Sequence, residues 1–201
     1  KMAETSSRAL QRFRMVLWVL VAIAAIGATV LFFVRPPANP LAVTGKPFAL
    51  ESTAGGVFTE ANLKGTPSLV FFGYTSCPDV CPTTLAETAA WTAQLGLTPD
   101  QLRTIFITVD PERDTKPVLA DYLSAFPGTI GLVGDATQTE AVKASFGVMS
   151  EKGTPDGNGF YLVNHTATLF LLDKNGAFEG TIAYGESGDT AVAKIKKLLA
   201  S

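Results

Sequence analysis

Two cysteines and one histidine are the residues of this sequence that suit soft-metal or redox chemistry. Cys77 and Cys81 lie in residues 75–82, which read TSCPDVCP, and the sole histidine is His165. Two thiolates and one imidazole form a three-coordinate set that suits copper in either oxidation state, or zinc if a fourth ligand is added. The sequence holds no other cysteine or histidine to supply that fourth ligand.

The cysteine pair stands between a predicted strand and a predicted helix. Residues 68–74 are apolar throughout their centre, which is typical of a strand covered on both faces. Residues 82–95 have helical apolar spacing, and Pro82 suits the first helical position. We therefore expect Cys81 to be the N-cap and Cys77 to lie in the loop above it. A helix start favours an anion, so one or both thiols should have a pKa below the usual value of about 8.5.

A structural disulfide is the alternative role for this pair. An oxidising compartment would permit it. A disulfide between Cys77 and Cys81, however, would close a loop of only about five residues. Such a loop restricts the unfolded chain far less than a long one, so the gain in stability would be small. Redox or metal chemistry therefore explains the placement better.

Strands and helices alternate in the first part of the domain, and three strands and a helix then follow. The predicted strands are residues 47–50, 57–58, 68–74, 104–109, 129–133, 160–164, 168–172 and 177–183. The predicted helices are residues 82–95, 116–125, 137–146 and 189–199. This order predicts an α/β thioredoxin-like fold, a central mixed sheet flanked by helices with an extra N-terminal hairpin, preceded by one transmembrane helix.

The position of His165 in this fold brings it toward the cysteines. In a thioredoxin-like fold the loop that enters the last hairpin faces the cysteine turn, and thioredoxins carry a cis-proline there. Residues 166–168 contain no proline, which leaves room for a side chain to approach the sulfurs. We expect the imidazole to meet both thiols.

Residues 15–34 form an uncharged run of 20, of which 18 are apolar, and predict a membrane anchor. Four basic residues precede the run and one follows it, which favours a cytoplasmic N-terminus. The predicted plan is a cytoplasmic segment 1–14, the anchor, a Pro-rich spacer 35–43 and the domain 44–201. A cleaved signal peptide is the alternative, but the run is too long and lacks a small-residue cleavage site.

The charge of the domain excludes one class of partner. Residues 37–201 carry 11 basic and 17 acidic side chains, a net charge of −6, so a nucleic-acid surface is not expected. One apolar run also excludes a polytopic transporter. Only 14 residues precede the anchor, too few for a mitochondrial presequence, so we expect a single-pass protein of the bacterial inner membrane with its C-terminal domain in the periplasm.

Three motifs together resemble the Sco/SenC family of membrane-tethered, thioredoxin-like copper chaperones of cytochrome c oxidase. They are GYTSCPDVCP at residues 73–82, VDPERDT at residues 109–115 and VNHT at residues 163–166. The resemblance implies that Cys77, Cys81 and His165 bind copper and serve maturation of the CuA centre. The implied partners are the CuA-bearing oxidase subunit, a periplasmic thioredoxin-like reductase and another chaperone as copper donor.

The loop at residues 110–115 has two interpretations that the sequence leaves equal. Pro111 suits a turn, and Asp114 or Thr115 can cap the next helix. Alternatively, the loop borders the metal site and forms part of a partner surface, as the resemblance suggests. Asp79, between the cysteines, is assigned to the same surface and not to the ligands. The candidate surface residues are Asp79, Asp110, Glu112, Arg113 and Asp114.

Two other activities compete with copper delivery. A thiol-disulfide oxidoreductase that reduces the CuA cysteines would use Cys77 and Cys81 without needing His165. A peroxidase is disfavoured because Pro78 stands where peroxiredoxins carry a threonine three residues before the reactive cysteine. Met149 and Met15 are interpreted as core and membrane residues, not as copper ligands.

Overall fold

The computed structural model describes residues 13–27, 29 and 45–201. The chain divides into two units, residues 1–38 and residues 39–201. In the first unit residues 13–27 form helix α1, whose side chains are exposed. The other positions of the predicted anchor, apart from residue 29, and the predicted spacer up to residue 43 lie outside the described residues. No described helix is long and apolar enough to cross a membrane.

Residues 45–201, the described part of the second unit, contain nine strands. They are β1 (Ala49–Ser52), β2 (Val57–Thr59), β3 (Ser68–Gly73), β4 (Arg103–Thr108), β5 (Thr129–Val133), β6 (Ser150–Lys152), β7 (Val163–His165), β8 (Thr168–Leu172) and β9 (Phe178–Ala183). Seven form one sheet in the order β2-β1-β5-β4-β3-β8-β9, whereas β6 and β7 form a sheet of their own. The pairs β3–β4 and β4–β5 are parallel, and the other pairs are antiparallel. The predicted mixed sheet with an N-terminal hairpin is confirmed.

The same described range contains four α-helices, which are α2 (Val80–Gln94), α3 (Lys116–Leu123), α4 (Ala136–Phe146) and α5 (Gly188–Leu199). Helix α3 contacts β5, α4 contacts β1, and α5 contacts α2, β8 and β9. The side chain of Thr115 accepts the Val118 N–H, so the cap of α3 is one of the two predicted residues. These contacts flank the sheet with helices, as predicted.

The core lies around β3, the strand that leads to the cysteines. All six β3 residues are buried; β4 and β8 pair with its two edges, and Phe146 of α4 packs against Phe72. The Phe72 ring lies 5.2 Å from the Phe146 ring, and the Phe71 ring lies 6.0 Å from the Phe106 ring. Such aromatic pairs add to the hydrophobic stabilisation of the strand.

The histidine-bearing region differs most from its prediction. The predicted strand 160–164 is wrong in position, because β7 occupies Val163–His165 and pairs with β6, which sequence periodicity did not reveal. The chain between them turns around Asp156, whose carboxylate accepts the backbone N–H groups of Asn158 at 2.8 Å and Phe160 at 3.0 Å. A turn held by a side chain replaces the expected start of the strand.

Candidate metal centre

The loop from Tyr74 to Asp79 carries Cys77 from the end of β3 to the start of α2. Gly73, the last residue of β3, is required here for space. A Cβ at this position would lie 2.9 Å from the Cys81 sulfur and 2.8 Å from the Phe106 ring. The glycine therefore allows the sulfur to pack directly against the end of the strand.

The start of α2 corrects the predicted N-cap. The cap position is Asp79 and the helix begins at Val80, so Cys81 is the second helical residue and Pro82 the third. Pro82 is tolerated because N–H groups of the first turn have no partner within the helix. The Cys81 N–H instead donates to the Cys77 sulfur at 3.4 Å. The Cys77 sulfur thus accepts a hydrogen bond of the kind that a side-chain oxygen usually accepts at the start of a helix.

The two thiols have different environments. Cys77 is partly exposed, whereas Cys81 is 0% exposed. Burial raises the pKa of the Cys81 thiol far above its ordinary value, and the nearby Cys77 adds to the rise. For Cys81 the expected lowering of the pKa by the helix start is wrong, because desolvation of the charged form outweighs the helix dipole. Metal binding at Cys81 must therefore displace a proton.

His165, at the end of β7, faces the buried thiol. Its Nε2 lies 3.7 Å from the Cys81 sulfur, and its Nδ1 lies 3.2 Å from the Thr166 carbonyl oxygen. A carbonyl only accepts hydrogen bonds, so Nδ1 carries the proton and Nε2 presents its lone pair. Burial lowers the pKa of His165 from 6.5, which favours the neutral, metal-binding form.

Two aromatic rings fix the orientation of the imidazole. The centroid of the His165 ring lies 6.1 Å from that of the Phe71 ring and 5.8 Å from that of the Tyr74 ring, and both pairs are edge-to-face. Both rings belong to β3 or to the residue that follows it, so the imidazole packs against the strand that leads to the cysteines. The ring is therefore held by packing as well as by its hydrogen bond.

The three predicted ligands come together in the fold. The ligand atoms of Cys77, Cys81 and His165 all lie within 4.8 Å of one another. A cavity of about 240 Å³ lies beside them, lined in part by Cys77, Pro78, Leu162 and His165. Two sulfurs and one imidazole nitrogen form a soft donor set, which suits copper better than magnesium or calcium.

Two predicted surface residues lie inside the protein. Asp110 is 4% exposed and Asp114 is 0% exposed, so their assignment to a partner surface is wrong. Both carboxylates can be buried, since each accepts hydrogen bonds from neighbouring segments that replace its contacts with water. Asp79 and Glu112 are exposed and Arg113 is partly exposed, so for these three a partner contact stays a prediction.

Asp114 is the most fully bonded of these carboxylates. It accepts the Thr108 hydroxyl at 2.5 Å, the Thr75 hydroxyl at 2.6 Å and the Thr75 N–H at 3.0 Å. Burial raises the pKa of Asp114, although these hydrogen bonds act in the opposite direction. The carboxylate ties the cysteine loop to β4.

Sequence reasoning missed two buried tyrosines: Tyr74, whose ring packs against the His165 imidazole, and Tyr161, whose hydroxyl donates to Asp110. Tyr74 precedes Cys77 by three positions and Tyr161 precedes His165 by four, and this aromatic spacing is the signal that could have found them. The assignment of Met149 to the core is also wrong. Its side chain is 79% exposed, and it lines a shallow cavity together with His165.

Comparisons with known proteins agree with this fold. The sequence model of the family described as SCO1/SenC matches residues 37–200. ScoI of Bradyrhizobium japonicum, solved with copper bound, is 41% identical, with 77% of this chain and 98% of that chain covered and a TM-score of 0.69. Yeast Sco1, solved with copper bound, is 34% identical, with 78% and 88% covered and a TM-score of 0.69.

The share of a relative's length that this chain covers differs from one relative to another. The SCO2-like protein of Rickettsia felis is 35% identical, and the match covers 80% of this chain and 84% of that protein. For the mitochondrial SCO2 protein of Saccharomyces cerevisiae the identity is 36%, and the match covers 76% of this chain and 52% of that protein. On the extent of these matches, the chain belongs to the SCO1/SenC family.

Proposed function

We propose that this protein binds copper through Cys77, Cys81 and His165 and delivers it to the CuA centre of cytochrome c oxidase. The observation that carries the proposal is that three soft ligand atoms lie within 4.8 Å of one another, although His165 stands 84 positions after Cys81 in the sequence. The copper-bound structures of the Bradyrhizobium and yeast relatives support the choice of metal. Family membership supports a role in oxidase assembly.

Copper is the cargo of this reaction, and ligand exchange would move it. The exposed part of Cys77 borders the cavity, so an incoming thiolate approaches the metal from that side. A copper–sulfur bond to the target forms as a bond to this protein breaks, and no free ion is released. The buried Cys81 sulfur is the donor best shielded from that exchange.

Chelator competition on the reduced full chain tests the copper site. We expect Cys77→Ser and His165→Ala each to lower copper affinity by at least about 10-fold, since even residues that only support metal ligands cost that much when changed. Met149→Leu is the comparison variant, because this exposed thioether lines a cavity together with His165, and an unchanged copper affinity in Met149→Leu would show that it is not a further ligand. Unchanged affinity in either ligand variant would exclude the site.

A second candidate function is reduction of the CuA cysteines, which the unequal exposure of the two thiols favours. The Cys77 thiolate would attack a target disulfide and form a mixed disulfide while one target thiolate leaves. Cys81, after losing its proton, would then attack the Cys77 sulfur and release the second target thiol. The target gains two electrons, and Cys77 and Cys81 end as a disulfide that a thioredoxin-like reductase would reset.

Replacement of the histidine separates the two functions. His165→Ala removes a proposed copper ligand but leaves both thiols. If this variant still matures the oxidase, reduction is the main role. If it fails while its cysteines still cycle between the reduced and oxidised states, copper delivery is the main role. Cys77→Ser serves as the reference, since both functions require that sulfur.

We further propose that residues 15–34 anchor the protein in a bacterial inner membrane with the domain in the periplasm. The uncharged run and the excess of basic residues before it support this orientation. Protease added to spheroplasts should digest the domain without lysis. Digestion only after lysis would contradict the orientation.

A further inference from the structure

The turn after β4, residues 110–114, contacts both halves of the proposed metal centre. Asp114 binds Thr75, two positions before Cys77. Arg113 binds Tyr161, four positions before His165. Two segments that are far apart in sequence therefore meet on one short turn.

Arg113 makes the contacts to the histidine side. Its Nε donates to Asp110 at 2.5 Å, and its Nη1 donates to the Tyr161 carbonyl oxygen at 3.0 Å. The guanidinium carbon lies 3.7 Å from the centroid of the Tyr161 ring. The Tyr161 hydroxyl in turn donates to Asp110 at 2.9 Å, which closes a ring of contacts. We call Asp110, Arg113 and Tyr161 the arginine clamp.

This clamp needs an arginine. A planar guanidinium can donate from Nε and Nη1 while its flat face stacks on an aromatic ring, whereas the tetrahedral ammonium of a lysine has no flat face to stack. The Arg113–Asp110 pair is largely withdrawn from water, since the Asp110 side chain is 4% exposed and that of Arg113 is 23% exposed. A charge-assisted hydrogen bond in such a place is stronger than one at the surface.

The histidine hairpin depends on side-chain contacts of this kind. Strands β6 and β7 form a sheet of their own, and the ladder to β3 begins only with β8, three positions after His165. On the other side of the histidine, side-chain contacts help to maintain the 3.7 Å distance between His165 Nε2 and the Cys81 sulfur. The clamp joins Tyr161, near the start of β7, to the turn that also holds the cysteine loop.

We propose that the arginine clamp positions His165 for copper, while Asp114 of the same turn positions the cysteine loop. The inference rests on the proposed copper site and assigns to these residues a role that does not involve touching the metal. Arg113 acts through His165, and Asp114 acts through Cys77 and Cys81. The turn thereby sets the spacing between the two parts of the ligand set.

Copper affinity in two backgrounds tests the clamp. In the full chain, Arg113→Lys should lower affinity about 10-fold, the lower end of what supporting residues contribute. In a His165→Ala background the same change should have no effect, because the residue through which it acts is gone. Arg103→Lys is the matched control, since Arg103 also donates to a backbone carbonyl, that of Asn62 at 2.6 Å, but at the start of β4.

An equal loss in both backgrounds would overturn the role of the clamp. Nitrogen hyperfine coupling in the Cu(II) spectrum provides a second readout: Arg113→Lys should weaken it, and Arg103→Lys should not. If Arg113→Lys does not fold, Tyr161→Phe keeps the ring, removes only the bond to Asp110, and should show the same dependence on background. An unweakened nitrogen signal in the folded Arg113 variant contradicts the proposal.

The Asp114 side of the proposal predicts the opposite dependence on background. Asp114→Asn cannot accept all three donors that the carboxylate accepts, so the cysteine loop should lose its tie to β4. Copper affinity should fall by the same factor with and without His165. A loss confined to the protein that retains His165 would contradict this assignment.

The arginine clamp can be tested independently of copper binding. If His165→Ala alone leaves copper affinity unchanged, the proposed site is wrong. Amide exchange of residues 150–166 in the metal-free protein then still tests the clamp. Faster exchange there in Arg113→Lys, with β3 unchanged, supports it; unchanged exchange overturns it.

Discussion

The thiols and the imidazole reach the proposed centre from two unlike regions. The thiol region continues from β3, a fully buried strand in the middle of a seven-stranded sheet. The histidine region is a separate two-stranded sheet whose neighbouring residues Met149, Phe160 and Leu162 are exposed. Packing on both edges and faces fixes the first region, whereas the second combines the packing of a few buried side chains, among them Tyr161 and Val163, with polar and cation–π contacts.

Under the proposed function, this difference bears on how copper is held. The buried Cys81 sulfur lies against the core, whereas the imidazole belongs to a small sheet that the arginine clamp joins to the rest of the domain. The turn of residues 110–114 contacts both regions, the thiol region through Asp114 and the histidine region through Arg113. The two regions should therefore respond differently to mutation.

The largest expected difference concerns hydrophobic burial. Phe106→Ala removes a fully buried ring beneath the thiol region and should lower the free energy of unfolding by about 3–5 kcal/mol. Phe160→Ala removes a half-exposed ring from the histidine region and should cost far less. Urea unfolding of the two variants measures both effects. Equal losses would contradict the contrast between the regions.

The next effect comes from steric crowding. Gly73→Ala places a Cβ against Phe106 and the Cys81 sulfur, and should lower the free energy of unfolding by about 1–3 kcal/mol. It should also lower copper affinity, because the sulfur must move. Gly157→Ala, which has open space in the histidine region, is the control and should change neither. The prediction fails if Gly73→Ala binds copper as the unaltered protein does.

A pH effect should arise in the histidine region. Burial lowers the pKa of His165 below 6.5, so the unfolded chain binds more protons than the folded chain just below that pH. The stabilising contribution of the neutral imidazole is present above pH 6.5 and is lost as the pH falls through the folded pKa. Between about pH 7 and pH 5, the free energy of unfolding of the unaltered protein should therefore fall more than that of the His165→Gln variant.

Subtracting the pH dependence of the His165→Gln variant from that of the unaltered protein isolates the contribution of the histidine to the free energy of unfolding. Carboxylates with a lowered pKa, Asp173 and Glu186, also lose stabilising interactions on acidification, but they do so below their ordinary values of 3.8 and 4.5. Parallel curves for the unaltered protein and the His165→Gln variant would contradict the assignment.

The smallest effect concerns the exposed ion pair between Glu112 and Lys152. Lys152 lowers the pKa of Glu112, but both groups are solvated, so the pair is screened by salt. Glu112→Gln should leave amide exchange of the hairpin unchanged, in contrast to Arg113→Lys. Faster exchange in Glu112→Gln would transfer the anchoring role from the arginine clamp to this pair.

Local patterns predicted the parts of the fold that depend on nearby residues. The apolar run of β3 and the strands at residues 129–133 and 168–172 appear with the predicted bounds or within one residue of them. Strand β6 escaped prediction because Ser150–Lys152 carries no apolar alternation and owes its conformation to pairing with β7. Partners distant in sequence decide such short strands.

The amino-acid sequence by itself determined the donor types, the spacing of the two cysteines and the order of the elements that carry them. Only the tertiary structure decided that His165 meets Cys81, that Cys81 has a raised pKa, and that Asp110 and Asp114 face inward. The reason is physical: burial and electrostatic environment depend on which distant segments surround a group, and that arrangement exists only in the folded chain.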